Sequence, residues 1–215
     1  MRMKRKLGKA LMIVGALLVL AAAGLVGYNT LADRRAGESA AALTAQLTAQ
    51  LPAATSQAPR AATPATPESG QAAQAPDPGD RTETDAMPGV RVDGRECIGV
   101  LDMPSLGLSL PLLRDYSEEA LTTAPCCYTG SLETGDLVVA GHNYRSQFGK
   151  LPNLSVGSEL SVTDVGGGVY SYVVSSIETL NGDDVEGMLA GDWDLTLFTC
   201  TMDGTQRVTV RCVRA

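Results

Sequence analysis

The 215-residue sequence predicts a mostly β domain, a sandwich or barrel of short strands, behind an apolar N-terminal span and a long tether. Three observations carry this prediction. Ala10–Tyr28 contains no charged residue. The later part of the following stretch, to about Pro88, is dominated by small residues and proline. From Val92 onward, short apolar runs recur between turn-forming residues.

Arg2, Lys4, Arg5, Lys6 and Lys9 precede the uncharged run. At ~1.5 Å per residue that run is about 28 Å long, close to the hydrocarbon thickness of a bilayer. Basic residues on its near flank hold that end in the cytoplasm. The expected layout is a cytoplasmic segment at 1–9, a single-pass membrane anchor at 10–30, and an extracellular remainder. A cleaved signal peptide is the competing reading, since Ala21–Ala23 offers small residues to a peptidase. The apolar run is long for a signal core and continues past those alanines, which favours an uncleaved anchor. Residues 31–90 read as a tether. Its first part, Ala40–Leu51, is rich in Ala, Leu and Gln and suits a helix. Pro52–Pro88 has almost no large apolar residue, cannot bury enough surface to offset its ordering entropy, and is kept extended by proline.

The domain is expected over 91–215, enough for one modest core. Its strand-length runs are Cys97–Leu101, Leu108–Leu113, Leu137–Ala140, Glu159–Thr163, Val169–Ile177, Leu195–Thr199 and Thr205–Val213. Short helices fit near Ser117–Leu121 and Asp183–Leu189. Many short strands with few helices suggest a sandwich or a barrel. The net charge of −7 argues against nucleic acid as a partner. His142 is the only histidine beside five cysteines, with no CxxC, which limits metal chemistry although a Cys3His site stays arithmetically open; no required metal and no cofactor is expected. Cys212 and Cys97 read as core thiols, and a bridge from either to Cys126 or Cys127 stays open.

The most informative segment is "DLTLFTCTMDGTQRVTVR", Asp194–Arg211. Asp203-Gly204 between two alternating runs predicts a hairpin with a two-residue type I′ turn. That turn sets Cys200 opposite Arg207, Thr199 opposite Val208, Leu197 opposite Val210 and Leu195 opposite Cys212. One face is then apolar on both strands, and the other carries Cys200 and Arg207. A slip of one residue would mix them. Directly opposed Cβ atoms lie about 4.5–5.5 Å apart, where a guanidinium favours thiolate and can stabilise an oxyanion. Arg211, opposite Thr196, is the second-ranked cation. His142 follows a buried-looking strand, where catalytic side chains often emerge, and a cysteine with a nearby histidine is the minimal activated nucleophile. A structural cysteine and a structural histidine remain the alternatives on these residues alone.

"TLFTC" (Thr196–Cys200), with an arginine seven residues on in "QRVTVR", resembles the TLxTC signature of sortases. "VVAGHN" (Val138–Asn143) resembles the segment carrying the sortase histidine. "IGVLDMPSLGLSLPL" (Ile98–Leu112) and "FGKLPNLSVGSEL" (Phe148–Leu160) resemble the family's opening hairpin and the stretch after its histidine. The resemblance implies an eight-stranded β-barrel with short helices, the cysteine ending the seventh strand and the arginine on the eighth. It further implies a cysteine transpeptidase on the outside of Gram-positive bacteria. Such an enzyme cleaves an LPxTG-like sorting signal between Thr and Gly on surface proteins. It passes the acyl group to an amine of a peptidoglycan precursor or a pilin lysine.

In those terms Cys200 attacks the scissile carbonyl and Arg207 steadies the developing charge. His142 protonates the leaving amine and later takes a proton from the incoming one. Thr199 and Asn143, beside the nucleophile and the histidine, are candidate substrate-binding residues. The segment Leu180–Trp193 is short, unlike the helical insertion of class B-like members, and "DPG" at Asp77–Gly79 lacks the aromatic of a class C-like lid. A cysteine hydrolase and a non-catalytic surface module are the rival functions.

Overall fold

The computed structural model describes residues 2–51 and 87–215, so residues 52–86, most of the expected tether, lie outside the described residues. The chain divides into two compact units, Met1–Arg35 and Ala36–Ala215. Helix α1 runs without interruption over Arg2–Gln50. The boundary expected at residue 31 is therefore not a helix end. The first proline is Pro52, and a residue before proline is pushed out of the helical region, so the helix stops where proline first forbids it. Its N-terminal portion is long and apolar enough to cross a membrane by length and composition.

In the second unit, Ala36, Ala40, Leu43 and Leu47 are buried. Their spacing of three and four residues makes one apolar stripe on the helix. Leu43 and Leu47 share a hydrophobic cluster with Val92, Cys97, Leu113 and Ala124. The end of α1 is thus part of the folded domain, because the stripe has a surface to cover there.

The strands are β1 (Val90–Val92), β2 (Arg95–Met103), β3 (Leu108–Leu113), β4 (Cys126–Thr129) and β5 (Leu137–Ala140). They are followed by β6 (Glu159–Asp164), β7 (Val169–Asn181), β8 (Leu195–Cys200) and β9 (Gln206–Arg214). The sheet order is β1-β2-β3-β4-β5-β8-β9-β7-β6, and β2 also pairs with β6. That last pairing closes strands β2 to β9 into an eight-stranded barrel, with β1 as an extra strand on β2. Closure removes the exposed edges that an open sheet would leave. β8 and β9 are the seventh and eighth barrel strands.

Alternation fills the interior. Leu137, Val139, Leu195, Leu197, Val210 and Cys212 join Leu101, Tyr172 and Val174 in one core cluster. The intervening residues of β8, Thr196, Phe198 and Cys200, point the other way. Phe198 packs edge-on against Tyr128 at 5.4 Å. Short helices α2 (Glu118–Leu121) and α3 (Val185–Leu189) begin on side-chain caps. Ser117 Oγ accepts from the Ala120 N–H at 3.0 Å, and Asp184 from the Gly187 N–H at 2.8 Å. The β7–β8 connection holds only the five-residue α3.

Two strands escaped the sequence reading. β4 is built on Cys126-Cys127, residues without a strong strand signal, held by pairing with Val139 and Ala140 of β5. β1 is three residues long and turns into β2 through Asp93-Gly94, with φ of 48° and 77°. Both centres of that turn are left-handed, the signature of the type I′ hairpin.

Asp203-Gly204 differs from the expected type I′ turn. Of the two, only Gly204 has positive φ, at 75°. The Gly204 N–H bonds back to the Thr201 carbonyl at 2.9 Å, one residue earlier than a two-residue loop requires. The Asp203 carboxylate accepts instead from Thr201 Oγ1 at 2.5 Å, and from the Thr205 N–H and Oγ1 at 3.2 and 2.9 Å. Those bonds reward a right-handed conformation at Asp203, which the dipeptide rule alone does not weigh. The strand register is nevertheless the predicted one, because the apolar face decides it.

Candidate active site

Cys200 is the last residue of β8, and its Cα partner on β9 is Arg207. The same ladder pairs Thr199 with Val208, Leu197 with Val210 and Leu195 with Cys212. Cys200 is exposed, whereas the other four cysteines are buried, and all five are free thiols. The site therefore lies on the outer face of the barrel wall, at the turn end of the β8–β9 hairpin.

β5 places the histidine. It runs parallel to β8 with Ala140 beside Phe198, and the Gly141 N–H continues the ladder to the Phe198 carbonyl at 3.0 Å. His142 lies two residues beyond Ala140, and Cys200 two beyond Phe198. The parallel register thus carries both to the same end of neighbouring strands, on the same side by alternation. Past the strand the chain turns sharply. A Cβ at Gly141 would come within 2.3 Å of the buried Phe148 ring, so glycine is required for this close approach. The Phe148 N–H bonds to the His142 carbonyl at 3.1 Å and the Gly149 N–H to the Tyr144 carbonyl at 2.9 Å. Gln147 is fully buried and its Oε1 accepts from the His142 N–H at 3.3 Å.

The imidazole is held from two sides. His142 Nδ1 lies 3.1 Å from Asn143 Oδ1, and the Tyr144 ring stacks on it with centroids 3.9 Å apart and planes 7° apart. Asn143 Nδ2 donates to the Thr201 carbonyl at 3.3 Å.

Arg207 is half-buried. Its Nη1 donates to the carbonyls of Gly204 and Gln206 at 3.2 and 3.1 Å. Among the described residues no carboxylate lies within ion-pair distance of it. Gly182 leaves room for the guanidinium, since a Cβ there would be 3.2 Å from Nη1 and 2.7 Å from the Thr205 carbonyl. A cation without a counter-charge, beside an exposed thiol, can stabilise a thiolate or a developing oxyanion.

The register thus brings Cys200, Arg207 and His142 to one end of the wall. Arg211 lies apart from them, on the same face but buried beneath α3 and paired with Glu178. Thr199 is 2 % exposed and its Oγ1 has no partner, so it sits within the wall beside the nucleophile. Tyr144 and Gln147 are the residues near the site that the sequence reading did not single out. Their position in the turn after "VVAGHN" was the available signal. Among the described residues no cluster of His, Cys, Asp and Glu is disposed to hold a metal.

Comparison with known proteins follows from this geometry. The Sortase domain family model matches residues 101–215. Sortase C1 from Streptococcus agalactiae superposes with a TM-score of 0.54 at 28% identity, covering 63% of this chain and 76% of that one. A pilus-related sortase C of Group B Streptococcus gives 0.51 at 26% identity, covering 58% and 69%. Sortase C1 from Streptococcus suis gives 0.51 at 25% identity, covering 63% and 79%. No curated protein sequence matches.

Proposed function

Because the chain belongs to the sortase family, we propose that it is a membrane-anchored transpeptidase in which Cys200, His142 and Arg207 carry the chemistry. The single observation behind the residue roles is the register that sets Cys200 against Arg207 while the parallel β5 delivers His142 alongside. The Cys200 thiolate attacks the carbonyl of the scissile peptide bond in an LPxTG-like signal. Arg207 turns from its loop carbonyls to the developing oxyanion. His142 gives a proton to the leaving amine, and Cys200 keeps the acyl group as a thioester. An incoming amine then attacks the thioester, loses its proton to His142 and expels the Cys200 thiolate, so one amide replaces another. The likeness to a pilus-related sortase C makes a pilin lysine a reasonable acceptor beside a peptidoglycan amine. Thr199 and Asn143 are the residues proposed to flank the substrate, neither through a free side chain: Thr199 is buried, and both ends of the Asn143 amide are bonded within the protein.

The apolar portion of α1 supports anchoring with residues 1–9 in the cytoplasm and the barrel outside. The decisive experiment incubates the detergent-solubilised full chain with an LPxTG-type peptide and an amine, and reads products by mass spectrometry. A transpeptidase yields the amine adduct. Hydrolysed peptide alone, even at saturating amine, would identify a hydrolase. A fully active Cys200→Ala variant would end the reading.

A further inference from the structure

We infer that Asn143 is a positioning residue that fixes the tautomer of His142 and ties it to the residue following Cys200, with Tyr144 holding the face of the ring. The inference rests on His142 being the acid/base of the proposed reaction. Its structural part does not need turnover to be tested.

The Thr201 carbonyl can only accept, so the Asn143 atom facing it at 3.3 Å must be the amide nitrogen. The other end of the same amide is then an oxygen, which can only accept. It faces His142 Nδ1 at 3.1 Å, so Nδ1 must carry the hydrogen. A neutral imidazole protonated on Nδ1 has its lone pair on Nε2. Nε2 is thus the atom left to take a proton from an incoming amine and to return it to a leaving one. Nδ1–H remains on Asn143 in both protonation states. A nucleophile, a base and a third group that orients the base is the general logic of an activated thiol.

The amide also acts as a strut. One end bonds the imidazole, and the other bonds the backbone one residue beyond Cys200. Acid/base and nucleophile therefore sit at a separation set by a single planar group. The strut has little freedom. A Cβ at Gly149 would come within 2.4 Å of the Asn143 carbonyl oxygen, so the turn is closed tightly on Asn143. Tyr144, parallel to the imidazole at 3.9 Å, restrains rotation of the ring about χ2. Gln147, buried, holds the backbone N–H of His142 from below.

The test exploits His142 being the only histidine. Full chain labelled with 15N-histidine, in detergent micelles at a pH where the ring is neutral, gives one imidazole. Its two nitrogen shifts report the tautomer directly. The expected wild-type spectrum has a pyrrole-type Nδ1 and a pyridine-type Nε2. Asn143→Ala should move the ring toward the Nε2–H form preferred by free imidazole, while Asn143→Asp, which keeps the acceptor, should retain Nδ1–H. Tyr144→Phe should match wild type, and Tyr144→Ala should give averaged shifts. In turnover, Asn143→Ala should lower kcat roughly 10- to 100-fold with little change in KM, and Asn143→Asp should recover part of the loss. A wild-type ring already in the Nε2–H form would overturn the proposal, as would an unchanged tautomer in Asn143→Ala. A raised KM with unchanged kcat would make Asn143 a substrate contact instead. An inactive wild type with the Nδ1–H form would fault the proposed reaction and leave the tautomer assignment standing.

Discussion

Arg207 and Arg211 lie four residues apart on β9, on the same face of the same strand, yet the protein treats them oppositely. Arg211 is 2 % exposed. Its Nε meets Glu178 at 2.7 Å, its Nη1 donates to the Met188 carbonyl and Thr196 Oγ1 at 2.5 and 3.2 Å, and its Nη2 to the Gly187 carbonyl at 2.6 Å. It fastens the C-terminal end of α3 to the barrel, with four of its five N–H donors bonded within the protein. Arg207 holds only the carbonyls of its own hairpin loop. The lesson is that sequence spacing ranked the two by distance from Cys200, while what separates them is satisfaction. A buried, ion-paired cation is a fastener, and one at the rim without a counter-charge is available.

The sharpest way to break this comparison is to remove each side chain separately. Cys200→Ala should abolish thioester formation while leaving the thermal unfolding of the detergent-solubilised chain unchanged. Arg207→Ala should follow, with kcat/KM down about 10²–10³-fold and stability nearly intact. Arg211→Ala should invert that pattern. It strands the buried carbonyl of Met188, at about 1–3 kcal/mol for an unsatisfied buried group, and frees the half-buried carbonyl of Gly187, so denaturant unfolding should shift to lower concentration. Equal destabilisation by both substitutions would erase the distinction.

Thiol chemistry sharpens it further. Burial pushes the Cys97 thiol up to about 11, and those of Cys126 and Cys212 up to about 12. At pH 8, an alkylating reagent should label the folded chain once, at Cys200, and the remaining thiols only after denaturation. Labelling of Cys212 without unfolding would contradict its place in the barrel interior, and labelling of Cys126 its burial in the cluster beneath the end of α1. The same raised values have a stability consequence. The unfolded thiols ionise near 9.0 and the folded ones later, so their contribution is complete below about 9 and is lost as pH rises toward 12. Alkaline unfolding should begin in that window and weaken in Cys212→Ala.

The smallest effect belongs to the hairpin loop. Hydrogen bonds from the Thr201 hydroxyl, and then from Thr205, hold the Asp203 carboxyl below its ordinary value near 3.8. A depressed carboxyl stabilises above its unfolded value and loses that contribution as pH falls through the folded one. Asp203→Ala should therefore loosen the loop at neutral pH, seen as faster amide exchange at Thr205, with little change in melting temperature. The same substitution should make no difference at strongly acid pH.

The alternating residues 195–213 were legible because hydrophobic faces specify register even when turn chemistry is misjudged. The type I′ reading of Asp203-Gly204 failed, and Cys200 still faces Arg207. The strand under Cys126-Cys127 was not legible, since it exists only through its partner β5. Nor was the reach of the folded domain into α1, because Ala36, Ala40, Leu43 and Leu47 reveal an apolar stripe only when a surface is there to receive it. His142 was visible as a lone histidine after a buried strand. Its neighbours Asn143 and Tyr144 gained a role only when the turn brought an amide and a ring against the imidazole.

By itself the sequence determined the β architecture, the hairpin register, and the resemblance that singled out Cys200, His142 and Arg207 as the residues proposed to carry the chemistry. These follow from local pattern, where side-chain period and residue type leave few alternatives. Tertiary structure alone decided the closure of the barrel through β2 and β6, the sorting of Arg207 from Arg211, and the bond from Asn143 to the Thr201 carbonyl. Those depend on contacts between segments far apart in the chain, which no local pattern encodes.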